Sequence, residues 1–190
     1  MFAALIGVVL AQERPSPDWL PVLDAPRNVT RELAIPKPAH SGEPLVLQGK
    51  VVRADRKTPV AWAILYFHHT DARGIYPRPA GADPKSWSYW HGTLRGWLKT
   101  DSQGRYVLRT TRPAPYPGGR EPAHIHVYGL MPGSRTGFYL SDFVFQGDPF
   151  VNADYWRRVR GFGLEAYGGV RLVRDKAGVW QGTRDLPLKN

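Results

Sequence analysis

The chain has 190 residues, no cysteine, and a formal charge of +10 from 26 Lys+Arg against 16 Asp+Glu. Without cysteine, disulfides, zinc–thiolate sites and cysteine nucleophiles are excluded. A 42% apolar fraction at this length predicts one well-packed domain. The basic residues are scattered in ones and twos with no nucleic-acid motif, which predicts a surface biased toward anionic ligands rather than a nucleic-acid binder.

In chain order, the apolar run FAALIGVVL is too short to span a membrane. With Val9 and Ala11 suited to a small-residue cleavage site, residues 1–12 read as a signal-peptide remnant, although the first basic residue is only Arg14. A buried N-terminal strand or helical turn is the other reading. Export to the periplasm or the exterior is the expectation, with a cytoplasmic location left open. Residues 13–44 hold seven prolines and little periodicity, as in an extended arm that leads into or wraps the domain.

From Leu45 the character changes. LVLQGKVV, AWAILYFHH, GWLKT, GRYVLRTT, HIHVYG and FYLSDFVF are short runs of β-branched and aromatic residues punctuated by Gly, Pro, Asp and Asn. They predict an all-β fold, an antiparallel β-sandwich with long loops, over residues 45–190. Only YWRRVRGFGLEAYG suggests a helical turn. VRLVRDKAGVWQGTRDLPL reads as a final hairpin turning at Lys176-Ala177-Gly178, and SWSYWHG as a loop.

In a strand, side chains at i and i+2 share a face, so His124 and His126 stand side by side while Ile125 and Val127 point to the core. Such a pair binds zinc, copper or iron, or is simply a polar stripe. Tyr116 lies just upstream, its backbone restricted by Pro115 and Pro117. A phenolate is a hard anionic oxygen that suits Fe(III) better than zinc. Without the histidines, Tyr116 would read as an ordinary loop aromatic.

At these residues the chain resembles the intradiol ring-cleavage dioxygenases. Leu47-Gln48-Gly49-Lys50-Val51 is similar to the family's opening L-x-G-x-V strand, followed by Thr58-Pro59-Val60. HTDARGIY resembles H-A-D-x-x-G-x-Y, and LRGWLKTDSQGRY resembles R-G-x-x-x-T-D-x-x-G-x-Y. TTRPAPYP, PAHIHV and FQGDPF complete the set in the family's order, over about residues 45–150. The resemblance implies a β-sandwich enzyme that opens catechol-type rings with O2 between the two hydroxylated carbons, giving muconate-type products. It implies one Fe(III) per chain held by Tyr76, Tyr116, His124 and His126. Tyr76 and His124 match the equatorial positions, and Tyr116 and His126 the axial ones. Tyr116 would then leave the metal and take up a substrate proton. A catechol and O2 are the implied partners; no nucleic acid or membrane span is, and homo-oligomerisation is left open.

The chain departs from the family pattern at several positions. The family's arginine three residues before the first histidine is Glu121 here. Arg120, one further back, is carried with Tyr116 as a candidate catalytic residue. Asp142 stands for the family's glutamine, and Tyr66 and His68 stand where an acidic residue and a tryptophan are common. His69 reads as a packing or ligand-supporting histidine, His68 as structural on the opposite face, and His91 as a surface residue. Trp87, Tyr89 and Trp90 read as packing aromatics or as a wall for a planar substrate. The competing reading is a non-catalytic β-sandwich module that binds an aromatic or acidic ligand and retains the metal site.

Overall fold

In the computed structural model, residues 16–37, 42–164 and 168–188 are described; the run carrying the export expectation lies outside them. The short β-branched runs form two packed sheets. The first has strand order β1 (Glu32–Ala34), β5 (Arg105–Thr111), β2 (Pro44–Val52), β10 (Trp180–Thr183), β9 (Leu172–Arg174), with β11 (Leu186–Pro187) also on β2. The second has order β4 (Arg95–Lys99), β3 (Ile64–His69), β6 (His124–Leu130), β7 (Phe138–Tyr139), with β8 (Phe143–Val144) also on β6. The C-terminal hairpin turns where expected, β9 and β10 pairing antiparallel around residues 175–179. The sandwich is mixed, however: β1 on β5 and both β10 and β11 on β2 run parallel. Chain segments remote in sequence close this sheet, so no hairpin rule constrains their direction.

Alternation decides which side chains fill the sandwich. Leu45, Leu47 and Val51 of β2, Leu65 and Phe67 of β3, Leu108 of β5, and Ile125 and Val127 of β6 are almost wholly excluded from water. The opposite face of β3 and β6 is also covered. Tyr66 and Tyr128 pack there with Val22 and Trp19 from the segment around a 3-10 turn, Leu20–Asp24. Trp97 joins them, its indole N–H donating to the Pro21 carbonyl at 2.7 Å. The arm before β2 thus contributes one edge strand and half of a second apolar layer.

Two helices lie in the connections. α2 (Ala153–Gly161) falls at the start of the predicted helical stretch, and the Asn152 side chain accepts from the Tyr155 N–H as its N-cap. α1 (Trp87–His91) is a single turn inside the segment read as a loop. At five residues it has no periodicity for a sequence to display.

His69 points into the sandwich and is fully buried. Its Nδ1 donates to the Thr70 carbonyl at 2.7 Å, and its Nε2 lies 2.6 Å from the Thr110 hydroxyl. Burial lowers its pKa from 6.5 to about 4. Because the folded value is depressed, this ring contributes stability above pH 6.5 that is lost as pH falls toward 4, on the order of 3 kcal/mol. Denaturant titrations at pH 7 and pH 4 should show a smaller acid-induced loss of unfolding free energy in His69→Gln than in the parent.

Candidate metal centre

β6 delivers both imidazoles by alternation, with His124 buried and His126 partly so, while Ile125 and Val127 face the core. Each ring is oriented through its Nδ1. That of His124 lies 2.7 Å from the Pro122 carbonyl and that of His126 3.0 Å from the Asp142 carboxylate. A carbonyl and a carboxylate only accept, so both Nδ1 atoms carry hydrogen, and in the neutral ring Nε2 is then the atom with the lone pair. The entry to β6 is clamped by Asp148 of FQGDPF. Its carboxylate accepts from the Ala123 N–H and the Phe150 N–H, both at 2.9 Å.

Two loops bring the phenols to the same point. In HTDARGIY, Asp71 organises a turn. Its carboxylate accepts from the backbone N–H of Arg73 at 2.8 Å and Ile75 at 3.2 Å, and ion-pairs with the Arg73 guanidinium at 2.7 Å. The turn is tied to TTRPAPYP by Thr70 Oγ1 donating to the Ala114 carbonyl at 2.7 Å and Ala114 N–H donating to the Asp71 carbonyl at 3.0 Å. Gly74 sits between them at φ 77°, where a Cβ would stand 2.0 Å from the Pro115 carbonyl oxygen. Any side chain there would push the Tyr76 loop off the residue preceding Tyr116.

The four donor atoms therefore converge. Tyr76 Oη and Tyr116 Oη are 2.7 Å apart, and Tyr116 Oη lies 3.2 Å from His124 Nε2 and 3.3 Å from His126 Nε2. The two Nε2 atoms are 3.0 Å apart. Adjacent ligands of a metal with bonds of about 2.0–2.1 Å sit roughly 3 Å apart, the spacing found here. Burial and the neighbouring Tyr116 phenol raise the Tyr76 pKa far above its ordinary value, so ionisation of Tyr76 needs a strong positive charge beside it. Burial likewise lowers the His124 pKa, favouring the neutral ring that can coordinate. The donor set, two hard oxygens and two neutral imidazoles, fits a highly charged cation such as ferric iron.

His124, His126 and Asp142 also offer one ligand atom each within 4.8 Å of one another. The Asp142 oxygen meets His126 at Nδ1, on the opposite side of the ring from Nε2, so it orients the imidazole rather than joining the donor cluster. Its contact spans sixteen residues, and no local spacing marks it. Arg120 is exposed on the turn linking Tyr116 to His124. Glu121 pairs with Arg158 of α2 at 3.1 Å, both side chains about half exposed.

Two histidine readings are corrected. His91 is fully buried rather than on the surface: α1 folds it onto the outer face of the sheet, where its Nδ1 lies 3.0 Å from the Tyr66 hydroxyl. His68 does not face away from the metal-binding candidates. It stands directly across from His126 in the β3–β6 register, and its ring stacks on His126 at 4.5 Å and on His91 at 3.7 Å. His69 is the ring that turns into the core. Trp87 packs on His91 at 4.8 Å, and the Arg78 guanidinium lies 3.9 Å over the Tyr89 ring.

An open cleft of about 630 Å³ borders Tyr76, lined by Arg73, Gly74, Ile75, Tyr76, Pro77 and Arg78. The profile of a protein family described as "Dioxygenase" matches residues 16–161. Catechol 1,2-dioxygenase 1 of Acinetobacter lwoffii is 29% identical over 136 residues, 62% of this chain and 41% of that protein. Chlorocatechol 1,2-dioxygenase of Pseudomonas putida is 30% identical over 128 residues, 59% of this chain and 46% of that protein. The chain spans about half the length of the curated relatives it matches. Among solved structures, the dioxygenase domain of a dioxygenase carbohydrate-binding protein fusion from Streptomyces sp. SirexAA-E superposes with TM-score 0.59 at 23% identity, covering 95% of both chains. Catechol 1,2-dioxygenase from Acinetobacter sp. ADP1 superposes with TM-score 0.63 at 22% identity, covering 85% of this chain and 58% of that one. The fold is common to both of these structures. With the family profile spanning most of the sequence, the chain belongs to the intradiol dioxygenase family.

Proposed function

We propose that this chain is a non-haem Fe(III) dioxygenase that opens catechol-type rings with O2 between the two hydroxylated carbons, giving muconate-type products. The observation that carries the reading is the convergence of Tyr76, Tyr116, His124 and His126, with Tyr116 Oη 2.7–3.3 Å from the donor atoms of the other three. Relatives named catechol and chlorocatechol 1,2-dioxygenase support the substrate class.

When bound there, ferric iron supplies Lewis-acid activation of the catechol toward O2. The chain's own residues do the rest. His124 and His126 hold their Nε2 lone pairs in place through fixed Nδ1 bonds. Tyr76 is held by the Asp71 turn and serves as the permanent phenolate. Tyr116, on a loop between two prolines, would as a phenolate take a catechol proton at Oη, becoming a phenol and acting as a positioned base. The cleft beside Tyr76 is of ordinary ligand size, within about 300–1,000 Å³, and Arg78 on its lining favours a ring with an anionic substituent. Arg120 is retained as a catalytic candidate from the turn beside Tyr116.

Iron analysis and oxygen uptake with a panel of catechols test the function. The expected protein binds one ferric ion per chain, is coloured by tyrosinate-to-iron charge transfer, and consumes O2 with catechols. A sample that is colourless after iron loading, or native zinc, overturns the reading. Iron and colour without O2 uptake favour the non-catalytic ligand-binding module.

The two tyrosines should separate. Tyr116→Phe is expected to keep much of its iron and colour while slowing substrate binding and turnover by about 10²-fold or more, the usual range for losing a positioned proton acceptor. Tyr76→Phe should lose iron and alter the colour before substrate is added. Iron content, visible spectra and stopped-flow substrate binding read the difference. Parental catechol binding and O2 uptake in Tyr116→Phe would remove the role given to Tyr116.

Export is proposed on the apolar run preceding Gln12 together with the proline-rich segment that follows it. Mass spectrometry of native protein should find a terminus at Gln12; an intact Met1 or Phe2 on cytoplasmic protein overturns it.

A further inference from the structure

We propose that Asp142 is the positioning residue that sets both the orientation and the donor strength of His126. The inference rests on the iron-binding reading above. Its starting point is an asymmetry between the two imidazoles. The Nδ1 of His124 donates to a neutral backbone carbonyl, whereas that of His126 donates to a carboxylate at 3.0 Å. A carboxylate draws the Nδ1 proton toward itself, which leaves Nε2 more electron-rich than a carbonyl partner would. His124 and His126 are otherwise equivalent residues of one strand face, so Asp142 makes them unequal donors.

Asp142 is built to stay in place. Its backbone lies between the short strands β7 and β8, and the Arg184 guanidinium locks this link. Nη1 donates to the Asp142 carbonyl at 2.6 Å and Nη2 to the Ser141 carbonyl at 2.8 Å. Arg184 is itself buried, with its guanidinium 4.7 Å over the Phe143 ring. It is held from the far side as well, its N–H donating to the Gln48 carbonyl at 2.9 Å and its own carbonyl accepting from the Tyr106 hydroxyl. The face of His126 is stacked on His68 at 4.5 Å, so the ring is fixed both in its plane and across it. The charge of Asp142 adds to those of two phenolates, which favours ferric over ferrous iron at this centre.

Two substitutions separate orientation from charge. Asp142→Asn keeps shape and a carbonyl acceptor but removes the charge; Asp142→Leu removes both. The measurements are ferric-ion affinity by chelator competition and the wavelength of the tyrosinate-to-iron band, with thermal unfolding as the check on folding. Asp142→Leu is expected to bind ferric iron about 10–100-fold more weakly. Asp142→Asn should lose less affinity, yet move the band to longer wavelength, because a less electron-rich ligand makes the metal a better electron acceptor. A purely structural role would lower occupancy without moving the band. If Asp142→Leu does not fold, the near-isosteric Asn variant decides alone. A parent that holds ferric iron and variants that match it in affinity and band position overturn this inference only. A parent that holds no ferric iron overturns the functional reading and this inference with it.

Discussion

Four donor atoms gather around Tyr116 Oη, which lies within 3.3 Å of Tyr76 Oη and of both imidazole Nε2 atoms, and most of the site's architecture exists to hold them there. Each imidazole is fixed through the nitrogen that faces away from the cluster. Each phenol is fixed through the backbone of its loop, one by the Asp71 turn and one by the flanking prolines and the Ala114 bonds. Gly74 is where the two loops touch, and the absence of a side chain is what allows them to. Preorganisation of this kind places its cost on folding, where the sandwich core offsets it, rather than on metal binding.

The outer face of the second sheet gives the site its rigidity. A half-solvated sheet face would leave His126 free to rotate, but here His68, His91, Tyr66 and Tyr128 form a packed aromatic layer beneath it. The 3-10 turn and α1 cover that layer, so segments that looked like an arm and a loop become its lid. Buried imidazoles are tolerated because hydroxyl groups are at hand: the Tyr66 hydroxyl lies 3.0 Å from His91. Much of the matched sequence is scaffold by the same logic. In LRGWLKTDSQGRY, Asp101 accepts from the Gln103 and Arg105 N–H groups, Thr100 bridges to Val60 and Ala63, and Tyr106 reaches Arg184. None of these residues donates to the cluster.

Electrostatically the site is acidic within a basic protein. The Asp142 carboxylate stands beside the His126 imidazole, while the net charge of +10 is carried mainly by exposed arginines. Anions are therefore drawn to the molecule at large, and the cation is favoured only at the cluster. Glu121 is partnered by Arg158 from α2, so the turn between Tyr116 and His124 is tethered to a helix more than thirty residues away. A guanidinium is thus present near this turn from two directions, Arg120 along the chain and Arg158 across space.

Some of this was legible in the sequence because it depends on local periodicity. The period-2 pattern of HIHVYG determines that His124 and His126 share a face while Ile125 and Val127 enter the core. The turn residues determine the C-terminal hairpin, and the glycine and prolines around Tyr76 and Tyr116 mark loops of constrained shape. Other features depend on which remote segments meet, and no spacing along the chain encodes that. The parallel pairing of β10 and β11 with β2, the burial of His91 under α1, and the stacking of His68 on His126 follow only from the closed sandwich. So does the bond from Asp142 to His126, between strands whose register is set by the packing of Phe143 and Val144. Residue type and period fixed which face the two histidines take; only tertiary closure, driven by burial of the apolar faces, decided what stands behind them and where the two tyrosines meet them.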